Sequence, residues 1–207
     1  MDKHISKGAV VILENSTGEV LALASRPSFD QNSIDKYLNS NTQSEFLNRT
    51  ILHYYPGSVF KLLIAAAALE EKIVNPKEIF ECKGKFQFDT GVNIACWNSE
   101  GHGKLRFEDA LAHSCNSVFI EIGLRLGAEK ISEYAKRFKL DQNDLVGYPL
   151  QNISSINIEP NSPVAVGNAV LGQKGIKLSP LQVAKMYTTI ANDGVYQEPK
   201  IVRKIST

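Results

Sequence analysis

Between a Pro56-Gly57 break and Glu70 runs Ser58-Val59-Phe60-Lys61-Leu62-Leu63-Ile64-Ala65-Ala66-Ala67-Ala68-Leu69, strong helix formers that are apolar on nearly every side. A helix of that kind has no face to offer water, so the rest of the chain must wrap a core around it. Its uninterrupted apolar run, Leu62 to Leu69, is eight residues long. That is far short of the roughly 20 needed to cross a bilayer, so the segment reads as a core helix. The 207 residues are enough to build that core, since at roughly 150 residues per domain they allow one large domain or two small ones. Twenty-three basic against 22 acidic side chains leave a formal charge of +1. No charge field marks a nucleic-acid or polybasic membrane binder, and no nucleic-acid partner is expected.

Ala9-Val10-Val11-Ile12-Leu13 and Val20-Leu21-Ala22-Leu23-Ala24 flank the turn formers Asn15-Ser16-Thr17-Gly18 and predict a β-hairpin. Arg26 to Asn48 is polar and aperiodic, a surface segment with one short helix around Ile34 to Leu38. Asn75 to Gly103 reads as loops with a small hairpin, and Phe107 to Leu126 and Glu129 to Phe138 as helices separated by Gly127. Ser179-Pro180 is an N-cap followed by proline at the first helical position, and Gly194 stands where a left-handed C-cap belongs. Met1 to Lys7 lacks an apolar segment and a cleavage site, so no signal peptide is expected, which taken alone points to a cytoplasmic protein. Three cysteines, Cys82, Cys96 and Cys115, are too few for a disulfide scaffold. Cys82 and Cys96 can pair in an oxidising compartment or remain ordinary thiols; spacing does not decide.

Ser58 and Lys61 stand three apart, so their side chains share a face at the start of the buried helix. A serine hydroxyl is a poor nucleophile until a base takes its proton, and a lysine becomes that base when desolvation lowers its pKa. The helix N-terminus adds backbone N–H groups able to face an oxyanion. The simpler alternative is an N-cap serine beside a lysine that extends to water. A second polar pair, Ser114 and Asn116, lies in a small-residue break between helices and favours the chemical reading. Other constellations are weak. His4, His53, His102 and His113 show neither triad order nor metal spacing, and Cys82, Cys96 and His102 lack paired C-x-x-C ligands, so no metal and no cofactor are expected. No phosphate loop occurs. Cys115 reads as a space-filler beside the site, and Trp97, Phe86 and Phe88 as groove-lining or buried aromatics.

S-x-x-K followed by S-x-N is a pattern of penicillin-binding proteins and their β-lactamase relatives, and the chain resembles the transpeptidase domain of the class B penicillin-binding proteins. The likeness covers essentially the whole chain: Gly8 to Pro27 as the opening hairpin, Tyr55 to Lys61 as the nucleophile segment, Gly101 to Asn116 as the second-motif region, and Gly167 to Gln173 with Leu178 to Gly194 as a later stretch. The resemblance implies an α/β (α+β) fold of the penicillin-binding protein and serine β-lactamase type, a helical subdomain plus an incomplete antiparallel sheet. Residues 1–207 then make an N-terminal portion of that domain, with the hairpin at about 8–25 and the helical region at about 58–194. It makes Ser58 the nucleophile, Lys61 its base, Ser114 a proton relay and Asn116 a binder of substrate amide. The implied reaction is D,D-transpeptidation of D-Ala-D-Ala peptidoglycan stem peptides, which β-lactams imitate. Cell-wall synthesis proteins are the implied partners, and the outer face of the bacterial membrane the implied location.

Lys-Thr-Gly, the family's third motif, does not occur in these residues. The expectation is therefore an incomplete sheet, slow acylation of this chain alone, and a hairpin edge open to self-association. A non-catalytic interaction unit, and a serine β-lactamase or β-lactam sensor, are the alternatives.

Overall fold

The structure, a computed structural model, describes residues 6–38, 45–142 and 156–203. The signal-peptide reading at residues 1–5 and part of the polar stretch, 39–44, lie outside the described residues. In chain order the elements are β1 (Gly8–Leu13), β2 (Val20–Arg26), α1 (Ile34–Leu38), α2 (Lys61–Glu70), β3 (Ile79–Cys82), β4 (Lys85–Gln87), β5 (Asn93–Ala95), β6 (Gly103–Arg106), α3 (Phe107–Ala112), α4 (Asn116–Arg137), α5 (Pro163–Val170) and α6 (Pro180–Ala191). The described residues form two compact units, one of 6–38, 45–54, 142 and 178–203, the other of 55–141 and 156–177.

In the first unit β1 and β2 make the expected antiparallel hairpin, running from Gly8 opposite Arg26 to Leu13 opposite Val20 with a register shift at Ile12/Leu13. Its turn is closed by Glu14, whose carboxylate accepts from the Thr17 amide at 2.7 Å and the Ser16 hydroxyl at 2.9 Å. Those hydrogen bonds, from Thr17 first, hold the Glu14 pKa below the usual carboxylate range. Helix α1 spans the expected Ile34–Leu38, after a short 3₁₀ turn over Gln31–Ser33. Helix α6 packs on β1. Ser179 caps it in a reciprocal box, its hydroxyl accepting from the Gln182 amide at 3.1 Å and its own amide donating to Gln182 Oε1 at 2.8 Å.

The second unit buries α2 as the sequence demands. Leu63, Ile64, Ala65, Ala67 and Ala68 are inaccessible or nearly so, and α2 packs against α3 and α4, while α4 packs against α5. Gly123 lets α4 and α5 meet: a Cβ there would lie 2.1 Å from Val170 Cγ2. The two helices expected on either side of Gly127 are both present within α4, Asn116–Arg137, whose helical backbone is broken at Gly127 (φ 78°, ψ 161°). The helix expected from Phe107 to Leu126 is interrupted at His113–Cys115, within the small-residue break around Ser114, so that α3 and α4 are separate.

Residues 75–103 are more regular than their composition indicates. β3 pairs with β6 from Ile79 opposite Arg106 to Cys82 opposite Gly103, and β4 pairs with β5 from Lys85 opposite Ala95 to Gln87 opposite Asn93. Strands of three or four residues leave too short an alternation to read, so tertiary packing decides them. Phe88 is not groove-lining; it is buried with Ile120 and Leu171, and Phe86 packs against that cluster. Trp97, by contrast, is 67% exposed.

Candidate active site

Ser58 lies in a 3₁₀ turn, Gly57–Phe60, that leads into α2; it is not the α2 N-cap, a position held by Phe60. No side chain caps that turn, which leaves the Ser58 hydroxyl available for chemistry. The turn is anchored from behind, where the Gly57 amide donates to the Gly172 carbonyl at 2.8 Å. Ser58 itself is exposed, whereas Lys61, one turn on, is only 1% accessible. The alternative of a lysine reaching out to water is therefore excluded.

The second motif is placed by the end of α3. The Ser114 amide donates to Leu111 O at 3.0 Å and the Cys115 amide to Ala110 O at 2.9 Å, the paired bonds of a Schellman turn. That turn requires a left-handed residue, and Ser114 adopts it at φ 51° where glycine is usual. Cys115 then caps α4 in an extended conformation, with Asn116 its first residue. Asn116 Nδ2 donates to Ala95 O at 3.0 Å. That bond orients the amide, leaving its oxygen for Lys61.

All four expected residues meet at one nitrogen. Lys61 Nζ lies 3.2 Å from Ser58 Oγ, 3.0 Å from Ser114 Oγ, 2.8 Å from Ser114 O and 2.7 Å from Asn116 Oδ1. Burial lowers the Lys61 pKa to about 8, against the opposing pull of Cys115 and Cys96. A neutral amine has two N–H donors and one lone pair. The carbonyl of Ser114 and the amide oxygen of Asn116 can only accept, so they take the two donors, and the lone pair is left facing the serine hydroxyls. The geometry thus suits Lys61 to receive a proton from Ser58 and to exchange it with Ser114.

With the neutral Lys61 amine serving as base for Ser58, acylation there would rise about tenfold per pH unit up to about pH 8 and level off above it. A pH profile of the labelling rate checks this; a flat profile between pH 6 and 8 contradicts it.

A cluster that spacing in the sequence did not disclose lies alongside. Cys82, Cys96, His102 and Cys115 place one ligand atom each within 4.8 Å of one another, and all three cysteines are buried and unpaired. The expected option of a Cys82–Cys96 disulfide is not formed. Burial pushes the Cys115 thiol up to about 12. Burial acts on Cys82 too, but hydrogen bonds from His102, Gly84 and Ser117 outweigh it and hold that thiol at about 6.

A buried lysine bridging an exposed serine and a second serine-asparagine pair defines a serine acyl-transfer type of site. The penicillin-binding protein transpeptidase domain family matches residues 8–207, and the chain belongs to that family, in its class B branch. It is 33% identical to the peptidoglycan D,D-transpeptidase PbpA of Mycolicibacterium smegmatis, over 96% of this chain and 43% of the relative. It is 32% identical to the stage V sporulation protein D of Bacillus subtilis, over 98% of this chain and 31% of that one. Among solved structures, a ceftriaxone acyl-enzyme complex of penicillin-binding protein A from Mycobacterium tuberculosis matches with TM-score 0.83 and 32% identity, over 94% of this chain and 47% of the other. Pseudomonas aeruginosa PBP2 matches with TM-score 0.86 and 26% identity, over 96% and 50%. The chain therefore spans less than half the length of these curated relatives. No helix among the described residues is long and apolar enough to cross a membrane.

Proposed function

We propose that these residues supply the nucleophile and base of a peptidoglycan D,D-transpeptidase. Ser58 Oγ attacks the carbonyl of the penultimate D-alanine in a stem peptide while Lys61 takes its proton. The proton passes by way of Ser114 to the amine of the departing D-alanine as the peptide C–N bond breaks, leaving an ester on Ser58. An amino group of a second stem attacks that ester, the C–O bond breaks, and Ser58 regains a proton as the new amide closes the cross-link. Asn116 binds the donor's amide backbone. The same attack on a β-lactam opens the ring C–N bond, and the amine stays tethered to the acyl group. The observation that carries this reading is Lys61 Nζ, buried and within 3.2 Å of Ser58, Ser114 and Asn116 together. Action on peptidoglycan stems places the protein on the outer face of the bacterial membrane, among other cell-wall synthesis proteins.

The test is intact mass after incubation with benzylpenicillin, using this chain and the same chain joined to a relative's segment carrying Lys-Thr-Gly. One long-lived drug adduct, fast in the joined form and slow in these residues alone, is expected. In the family the third-motif strand provides an oxyanion donor, whose loss costs about 10²–10³ in rate. Rapid hydrolysis of the drug would make the protein a β-lactamase instead, and no adduct in the joined form would leave only an interaction module.

A further inference from the structure

We infer that Phe119 is a positioning residue for acyl transfer: the face of its ring stabilises the positive charge that Lys61 acquires on taking the proton of Ser58. The inference rests on Lys61 acting as the base, and it explains how a buried amine can do so with no carboxylate among its hydrogen-bond partners in the described residues. Phe119 is wholly buried and stands three residues after Asn116 on α4, so the two side chains share one face of the helix. Both are turned to the same nitrogen. Lys61 Nζ lies 2.7 Å from Asn116 Oδ1 and 5.7 Å from the centre of the Phe119 ring, over its face. Phe107, the first residue of α3, braces that ring at 6.3 Å between centroids.

When Ser58 Oγ attacks the carbonyl carbon, its O–H bond breaks and the proton passes to the Lys61 lone pair, so a neutral amine becomes an ammonium inside the protein. Burial opposes that charge, and the hydrogen-bond partners Ser58, Ser114 and Asn116 are all neutral. An aromatic ring carries negative potential on its face and attracts a cation within about 6 Å of its centre. A carboxylate in the same place would attract the charge more strongly, but it would hold Lys61 as an ammonium before the reaction begins and leave no base. The ring lies between those extremes, supporting the ammonium while offering its proton no acceptor atom. Among the described residues, the titratable groups that act on Lys61 are Cys115, the N-cap of α4, and Cys96, after β5. The 3₁₀ turn and the end of α3 present the hydroxyls of Ser58 and Ser114. All of these stay the same when only the ring is altered.

The test changes the charge distribution of the ring at nearly constant shape. Phe119 is replaced by phenylalanine carrying one, two or three ring fluorines, each of which drains negative potential from the ring face. In the 207-residue chain, the titration of Lys61 is followed by NMR of lysine labelled at the ε-carbon, its signal identified by its loss in Lys61→Arg. From about pH 8 in the unmodified chain, the midpoint should step down with each fluorine, the ammonium-to-amine ratio at fixed pH falling roughly three- to tenfold in all. Acylation by benzylpenicillin in the joined form should follow: faster on the acidic limb, where more free amine is present, and slower on the plateau, where the ammonium forming in the transition state is less supported. A ring that only fills space would not move the two limbs in opposite directions. The titration needs no β-lactam, so it decides the ring's effect on Lys61 apart from the acyl-transfer reading. A midpoint that stays put or rises with added fluorine overturns the inference. A midpoint that falls while the acylation profile does not change contradicts Lys61 as the base, and with it the ring's part in acyl transfer.

Discussion

Lys61→Ala is expected to slow acylation of Ser58 by about 10⁴-fold, the upper end of what a positioned general base contributes. The effect is this large because no other group hydrogen-bonded to Lys61 among the described residues can take the proton. Ser114 is a hydroxyl of ordinary basicity, and Asn116 Oδ1 and Ser114 O are committed acceptors of the Lys61 N–H groups. Lys61→Arg separates basicity from charge. A guanidinium keeps the positive charge and several of the hydrogen bonds, but it does not deprotonate in proteins. If Lys61 acts as a base, the arginine variant is as slow as the alanine one; if it only braces the loop electrostatically, arginine recovers much of the rate. Rates of fluorescent-penicillin labelling in the form joined to a Lys-Thr-Gly segment, with circular dichroism to confirm folding, distinguish the two. A loss under tenfold in Lys61→Ala contradicts the role given to it.

Gly172→Ala is expected to cost about 2–4 kcal/mol. Two penalties combine at this position. Its φ of +65° lies in the left-handed region, and an added Cβ would stand 2.1 Å from Gly57 O and 2.7 Å from Gly57 N. Both neighbours are backbone and cannot rotate away. Because Gly57 precedes Ser58 and its amide donates to Gly172 O, relief of the clash must move the nucleophile turn, so acylation should fall along with stability. Gly91→Ala is the control: its φ is +81° but its Cβ meets nothing within 4 Å, so it carries only the conformational penalty, about 1 kcal/mol. Urea denaturation midpoints compare the two, and equal losses would show that the Gly57 contact carries no weight.

The features legible in the sequence are those fixed locally. The Ser179-Pro180 start of α6 and its Gln182 partner lie within four residues, and the β1–β2 hairpin follows from two apolar runs around one turn. The quartet around Lys61 Nζ was legible only through pattern, since Ser58 and Lys61 on one side and Ser114 and Asn116 on the other are more than fifty positions apart. What joins them is the burial of α2 against α4, which an all-round apolar helix makes obligatory but does not orient. The short strands β3 to β6 offered no usable alternation, and the cysteine-histidine cluster was hidden with them. Its members have no paired spacing, because a ladder register and a Schellman turn assemble them instead of one compact loop. Ser114 illustrates the same limit: nothing in its identity announces a left-handed backbone, a conformation imposed by the end of α3.

The central claim is that Ser58 is the residue acylated, and peptide mapping tests it most directly. After benzylpenicillin treatment of the joined form and tryptic digestion, the drug mass should appear on the peptide from Thr50 to Lys61, with fragmentation placing it on Ser58, and Ser58→Ala should carry none. A drug adduct on any other residue, or an undiminished adduct in Ser58→Ala, would contradict the account.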